Sequence, residues 1–231
     1  MGLIPQLSNR PVGLLYGTLP AVTVTDRRLQ RGERTRAAAL DAAMVLATEV
    51  GLDGLSLSQL AQRLGISKSA LFAHWPDKQA LQLATVERAR DQWVSEIVTP
   101  ALAHPPGVRR LWALHTRRLA YYRRAELPGG CFFAKVGFEY GLRPGPVRDR
   151  IVEILDEWHQ LLVRTVTEAV ASGELASVPA AQFAFEIDAL AVAAVYQARL
   201  RNPDQMYDLA RQAALDRIRP LCNDPSLLPE E

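Results

Sequence analysis

The sequence predicts an all-α protein, a small N-terminal three-helix unit followed by a larger helical domain. Three observations carry this. Apolar residues recur at helical spacing along nearly the whole chain, while alternating strand patterns are nearly absent. Gly and Pro punctuate that pattern where helices should end, at Gly51, Gly65, Pro76, Pro100, Pro105 and Gly173. The 231 residues are 48% apolar and 23% charged, which suits a sizeable soluble core.

The first 25 residues contain Leu3, Ile4, Leu14 and Leu15 but are cut by Pro5, Pro11, Gly13, Gly17 and Pro20. They lack a basic segment leading an unbroken apolar run, so no signal peptide is expected. Gln6 stands where a myristoylation signal wants Ser or Thr. Residues 1–32 are read as a flexible basic arm. Across Asp26–Arg36, Arg27, Arg28, Arg31, Arg34 and Arg36 face only Asp26 and Glu33. Such an arm suits polyanion backbone or a DNA minor groove; the alternative is a solvated charge run.

The first helix is expected from about Glu33 to Val50, with Ala39, Ala42, Ala43, Leu46 and Val50 on one face and Gly51 and Gly54 ending it. Ser56 caps a second, short helix through Leu57, Leu60, Ala61 and Leu64. Gly65 makes a turn, Ser67 caps a third helix, and Pro76 stops it. Asp77 opens a fourth helix to about Val98, striped by Leu83, Val86, Trp93 and Ile97. A fifth runs from Val108 to Arg124. The CFFAKVGFEYG stretch suits one short helix. Long helices follow from Pro146 to about Ser172, from Pro179 to about Leu200, and from Pro203 to Ile218.

The third helix is too short to be stable alone and too polar on one side to be core. At about 100° per residue, Ile66, Leu71 and Trp75 face inward with Leu60 and Leu64. Lys68, Ser69, Phe72 and Ala73 then form an outer face with one cation and no carboxylate. Two short helices joined by a glycine turn, with an acid-free outer face on the second, are a helix-turn-helix candidate. His74 and Lys78 lie just beyond it. His74 has the alternative of a capping or surface histidine.

Beyond this arithmetic, the run GLDGLSLSQLAQRLGISKSALFAHWPDKQAL resembles the DNA-binding domain of TetR-type transcriptional regulators, from about Thr35 to Thr85. The resemblance includes the glycine after the first helix, the Leu-Gly-Ile-Ser turn, the Leu-aromatic-x-His-aromatic run and the Lys-x-x-Leu start of helix four. It implies a DNA-binding domain at 33–79, an effector-binding and dimerisation domain at 80–222, and a tail at 223–231. It implies DNA contacts at Ser56, Ser58, Lys68, Ser69, Phe72, Ala73, His74 and Lys78, and the basic run adds Arg34 and Arg36. The family usually carries Tyr where this chain has Phe72. Phe cannot donate to a phosphate, so apolar contact with sugar or a thymine methyl replaces that bond.

The remaining expectations concern the larger domain. Trp93, Trp112, His115, Tyr122, Phe132, Phe133 and Trp158 lie on or beside inward stripes. They are plain core or, as the resemblance implies, the lining of a pocket for a largely apolar effector. The helix through FAFEIDALAVAAVYQARL is apolar nearly all round and rich in alanine, which suits full burial or a subunit interface. With the last helix it assigns a homodimer interface to Ile187, Leu190, Ala191, Ala194, Met206, Leu209 and Ala213. A two-fold dimer would bring two reading heads to a double-stranded, palindromic operator.

Catalytic chemistry has little support. Asp156-x-x-His159 is a lone half of a di-metal pattern. His104, His115 and His159 are scattered, and no phosphate loop or nucleophile motif occurs. No catalytic residue, metal or cofactor is expected. Cys131 and Cys222 have unrelated positions, which fits a reducing cytoplasm. No apolar run reaches the about 20 residues of a membrane span. The expected function is a ligand-responsive DNA-binding regulator, a repressor released by its effector. The alternative is a helical small-molecule-binding or redox-sensing bundle, with Cys131 as sensor, whose N-terminal unit reads no DNA.

Overall fold

The computed structural model describes residues 24–230. Among them there are ten α-helices and no strand: α1 (Val24–Val50), α2 (Leu57–Leu64), α3 (Lys68–Phe72), α4 (Lys78–Trp93), α5 (Thr99–Leu102), α6 (Val108–Arg123), α7 (Phe132–Tyr140), α8 (Pro146–Ala171), α9 (Ala180–Gln197) and α10 (Pro203–Ile218). Leu175 and Cys222 form one isolated antiparallel bridge. No helix of the described residues is long and apolar enough to cross a membrane.

One expectation is corrected at the start. α1 begins at Val24 rather than Glu33, so residues 24–32 are helical and not a flexible arm. The segment TDRRLQRGERTR consists largely of good helix formers, and Gly32 within it costs about 1 kcal/mol without breaking the helix. The rest of the expected arm, residues 1–23, lies outside the described residues. From Arg36 onward the chain forms one compact unit.

The small unit is set by its caps. The Ser56 hydroxyl accepts from the Gln59 N–H at 3.2 Å and starts α2. Gly65 ends it at φ +63°, a left-handed conformation that glycine adopts without strain. The Ser67 hydroxyl accepts from the Ala70 N–H at 3.3 Å, and Asp77 accepts from the Ala80 N–H at 2.8 Å. Leu55, Leu60 and Leu71 are fully buried and Trp75 nearly so, with Leu64 and Ile66 packed half-buried against them. Burying each such side chain contributes about 1.5–3 kcal/mol. These contacts hold a five-residue helix that could not persist alone.

α4 does not run unbroken to Val98. Val94–Val98 is a π-helical turn, which leads into the single turn of α5. The π-turn falls immediately after Trp93, and such turns recur at functional sites. In the larger domain α9 packs against α6, α8 and α10, and α8 also contacts α4, α6 and α7. A second core lies among these helices, built from Leu111, Leu114, Leu162, Val166, Phe183, Leu215 and Ile218.

Candidate DNA-reading face and ligand cavity

α3 presents two unlike sides. Leu71 is fully buried, whereas Lys68, Ser69, Phe72 and Ala73 are exposed. The Lys68 ammonium lies 5.5 Å from the centroid of the Phe72 ring, so cation and ring form one outward patch. Phe72 is 44% exposed, which leaves its ring edge open to a partner surface. Ser58 is exposed on α2. Ser56 spends its hydroxyl on the α2 cap, and Ser69 Oγ lies 3.0 Å from Ser67 Oγ. His74 is half-buried with its ring tilted against Trp75. Arg36 is exposed and its guanidinium lies 5.9 Å from the Trp75 ring. Arg34 is exposed on the first turns of α1.

Lys78 is not a free cation. Its ammonium is 3.3 Å from Asp53 Oδ1, while Arg143 holds Asp53 Oδ2 at 2.7 Å. The hydrogen bonds from Arg143 and Lys78 keep the Asp53 carboxyl below the usual range. The adjoining turn is held from the larger domain. Glu139 of α7 accepts from the backbone N–H of Leu52 at 2.8 Å and of Asp53 at 2.7 Å. Gly51, at φ +88°, lets the carboxylate come close; a Cβ there would lie 2.9 Å from Glu139 Oε1. Gln82 of α4 donates to the Leu52 carbonyl at 2.9 Å. The turn between α1 and α2 is thus gripped by α4 and α7 together.

α7 also walls a cavity of about 340 Å³. Its lining is Trp93 from α4, Arg118 from α6, Cys131, Phe133, Ala134, Gly137 and Phe138 at and along α7, Ile154, Leu155 and Trp158 from α8, and Asp188 and Val192 from α9. Trp93 meets Phe133 and Trp158 edge to face, with centroids 5.9 and 5.1 Å away. Of the residues expected here, Trp93, Phe133 and Trp158 line the cavity. Trp112, His115, Tyr122 and Phe132 do not. Trp112 lies at another groove, stacked on His115, and its stripe on α6 faces the second core and α10 rather than the cavity. Tyr122 and Phe132 pack in the core.

His115 is buried, with Nε2 3.2 Å from the Ala210 carbonyl. Burial first, and then the Arg118 charge, push its imidazole down to about 4, so it stays neutral. Two polar residues of the cavity escaped the sequence reading. Arg118 is only 5% exposed and lies between the rings of Trp93, Tyr122 and Trp158, at 5.3 to 5.6 Å from each centroid. It donates through Nε to the Tyr122 hydroxyl at 2.6 Å and through Nη1 to Asp188. Trp158 Nε1 donates to the same Asp188 oxygen at 2.7 Å. Burial alone would raise the Asp188 carboxyl, but Arg118 and Trp158 hold it below the usual range. A signal for both existed: Arg118 sits at helical spacing between His115 and Tyr122, and Asp188 interrupts an apolar helix. Cys131 is buried and caps α7, its sulfur 3.5 Å from the Ala134 N–H.

The expected dimer face needs correction. Ile187, Ala191, Ala194 and Met206 are buried within the subunit and have no surface to give a partner. Leu190 and Ala213 are half-buried, and Leu209 is exposed. A helix apolar all round does not announce which side faces its own core. The outward side of α9 carries Phe185 (65% exposed), Ala193, Tyr196 (63%) and, just past its end, Leu200 (77%). Ala189 and Val192 fill the spaces between them, half-buried.

Comparison with known proteins places these features. A family model described as bacterial regulatory proteins, tetR family, matches residues 39–85, and one described as tetracyclin repressor-like, C-terminal domain, matches residues 107–214. The HTH-type transcriptional regulator RutR of Escherichia coli K12 is 31% identical over 80 residues, 35% of this chain and 38% of RutR. The chain therefore spans well under half the length of that relative. A TetR transcriptional regulator from Chloroflexus aurantiacus shares the fold with a TM-score of 0.74 and 24% identity, over 81% of this chain and 95% of that one. AibR, solved in complex with isovaleryl coenzyme A and operator DNA, superposes with a TM-score of 0.61 and 18% identity, over 76% of this chain and 95% of that one.

Proposed function

Because the chain belongs to the tetR family of bacterial regulatory proteins, we propose that it is a cytoplasmic, homodimeric repressor, released from a palindromic operator when a small molecule fills its cavity. The observation that carries the DNA-binding part is the exposed, acid-free face of α3, with Lys68, Ser69, Phe72 and Ala73 outermost. A surface seated among phosphates avoids carboxylates, because like charges there lose affinity. The division into a reading unit at 33–79 and an effector and dimer domain at 80–222 follows the same reading. No catalytic step is assigned to it.

The cavity is the effector site in this reading, and its mostly apolar and aromatic lining calls for a largely apolar effector. AibR, solved with isovaleryl coenzyme A and operator DNA together, is a relative in fold. The second copy covers the outward stripe of α9, Phe185, Ala189, Val192, Tyr196 and Leu200, together with Leu209 of α10. The signal passes through α7. Phe133, Ala134 and Phe138 feel the ligand, and Glu139 on the same helix carries any shift to the turn before α2. Two packings of α7 bias two placements of the reading heads. Selection of bound duplexes from a random pool tests the core of the reading. A palindromic motif whose enrichment is lost in Lys68→Glu is expected. Enrichment of no palindrome would sink it.

A further inference from the structure

The polar corner of the cavity says which charge its ligand carries. Arg118 uses Nε on Tyr122 and Nη1 on Asp188. Asp188 Oδ1 already accepts from Arg118 and from Trp158. Among the described residues, Arg118 Nη2 and Asp188 Oδ2 have no hydrogen-bond partner, and both side chains line the cavity. Free N–H donors on Nη2 and a free acceptor on Oδ2 thus remain, on groups of opposite charge that cancel. A carboxylate approaching Nη2 meets the Asp188 charge, and an ammonium approaching Oδ2 meets Arg118. Each loses solvation without a net opposite charge to replace it. A neutral group that accepts and donates side by side suffers neither loss. The rest of the lining, Trp93, Phe133, Phe138 and Trp158, favours flat rings.

We infer that the cavity takes an uncharged, aromatic molecule bearing an amide-like pair, its carbonyl accepting from Arg118 Nη2 and its N–H donating to Asp188 Oδ2. This rests on the reading of the cavity as the ligand site.

Isothermal titration of the full-length protein with three probes on one ring system tests it: naphthamide, naphthoate and naphthylmethylamine at neutral pH. Naphthamide is expected to bind at least about tenfold tighter than either charged probe. In Asp188→Asn the Arg118 charge loses its counter-charge, and naphthoate is expected to overtake the amide. The wild-type comparison stands alone if that variant fails to fold. Equal or tighter binding of a charged probe by the wild type, binding of none of the three, or an unchanged ranking in a folded Asp188→Asn would each overturn the inference. Operator affinity is read separately. Naphthamide that binds without weakening the operator complex leaves the ligand class standing and removes the effector role instead.

Discussion

Glu139→Ala is the most informative single change, because Glu139 joins the cavity wall to the reading unit. Its carboxylate accepts two successive backbone N–H groups, that of Leu52 at 2.8 Å and that of Asp53 at 2.7 Å. Leu52 is fully buried, so its N–H has little access to water once the carboxylate is gone. Hydrogen bonds to a charged group contribute about 1.5–3 kcal/mol each, and an unsatisfied buried donor costs about 1–3 kcal/mol. Water can reach the Asp53 side, which is half-exposed. A net loss of about 2–3 kcal/mol follows, or about 4–12 °C in Tm for a chain of this size. Gly51→Ala should lose stability by a second route, through its left-handed φ of +88° and the 2.9 Å approach of its Cβ to Glu139. In the double variant that approach disappears while the backbone strain remains, so the two losses should sum to more than the double variant shows. Urea unfolding of the four proteins reads the cycle. Operator titration with and without a cavity ligand reads the function, and Glu139→Ala should keep DNA binding while losing most of the ligand response. A loss below about 0.5 kcal/mol, far under a normal charged hydrogen bond, together with an intact ligand response, would refute the argument.

Four further outcomes are expected. His115 stays neutral in the fold down to about 4 but takes a proton at its ordinary 6.5 when unfolded. Its contribution is therefore intact above 6.5 and is lost as pH falls toward 4, by on the order of 3 kcal/mol in all. Urea unfolding at pH 7 and pH 5 checks the sign, and equal stability at both would contradict it. Phe72→Tyr supplies the missing phosphate donor and should tighten the operator complex about fivefold, about 1 kcal/mol, whereas Lys68→Ala should flatten the salt dependence by about one phosphate per subunit; both read out by fluorescence anisotropy at several salt concentrations. Tyr196→Asp with Leu200→Asp places charge on the outward α9 stripe, and sedimentation should show monomers with far weaker operator binding, while a dimer of unchanged affinity would place the interface elsewhere.

What the sequence could say depended on how far apart the partners lie in the chain. The reading unit was legible because its logic is local. Gly65, Ser67 and Pro76 set the bounds of α3, and the spacing of Leu71 and Trp75 fixes which side is inward. The start of α1 was misplaced because a run of arginines reads as an arm as readily as a helix, and charge pattern alone does not separate them. The cavity was half legible. Trp93 and Trp158 lie on inward stripes and line it, but Trp112 lies on an equally good stripe and faces a different part of the core. Inward periodicity fixes a side of one helix, never the helix it will meet.

Glu139 marks the limit of local patterning. Nothing in the GFEYG stretch distinguishes it from a solvated carboxylate, and its partners are 86 and 87 residues earlier. The same holds for α9, where small residues at helical spacing permit close packing on any side. Four of the seven residues assigned to an interface turned inward. In the proposed dimer the exposed rings of Phe185 and Tyr196 carry that assignment instead, because large apolar surface left in water is costly unless something covers it. Burial against the chain's own core and burial against a second copy obey the same physics, so hydropathy alone does not divide them. The division comes from the packing of α9 on α6, α8 and α10, which uses up one side of the helix and leaves the other exposed, where the proposed second copy would sit.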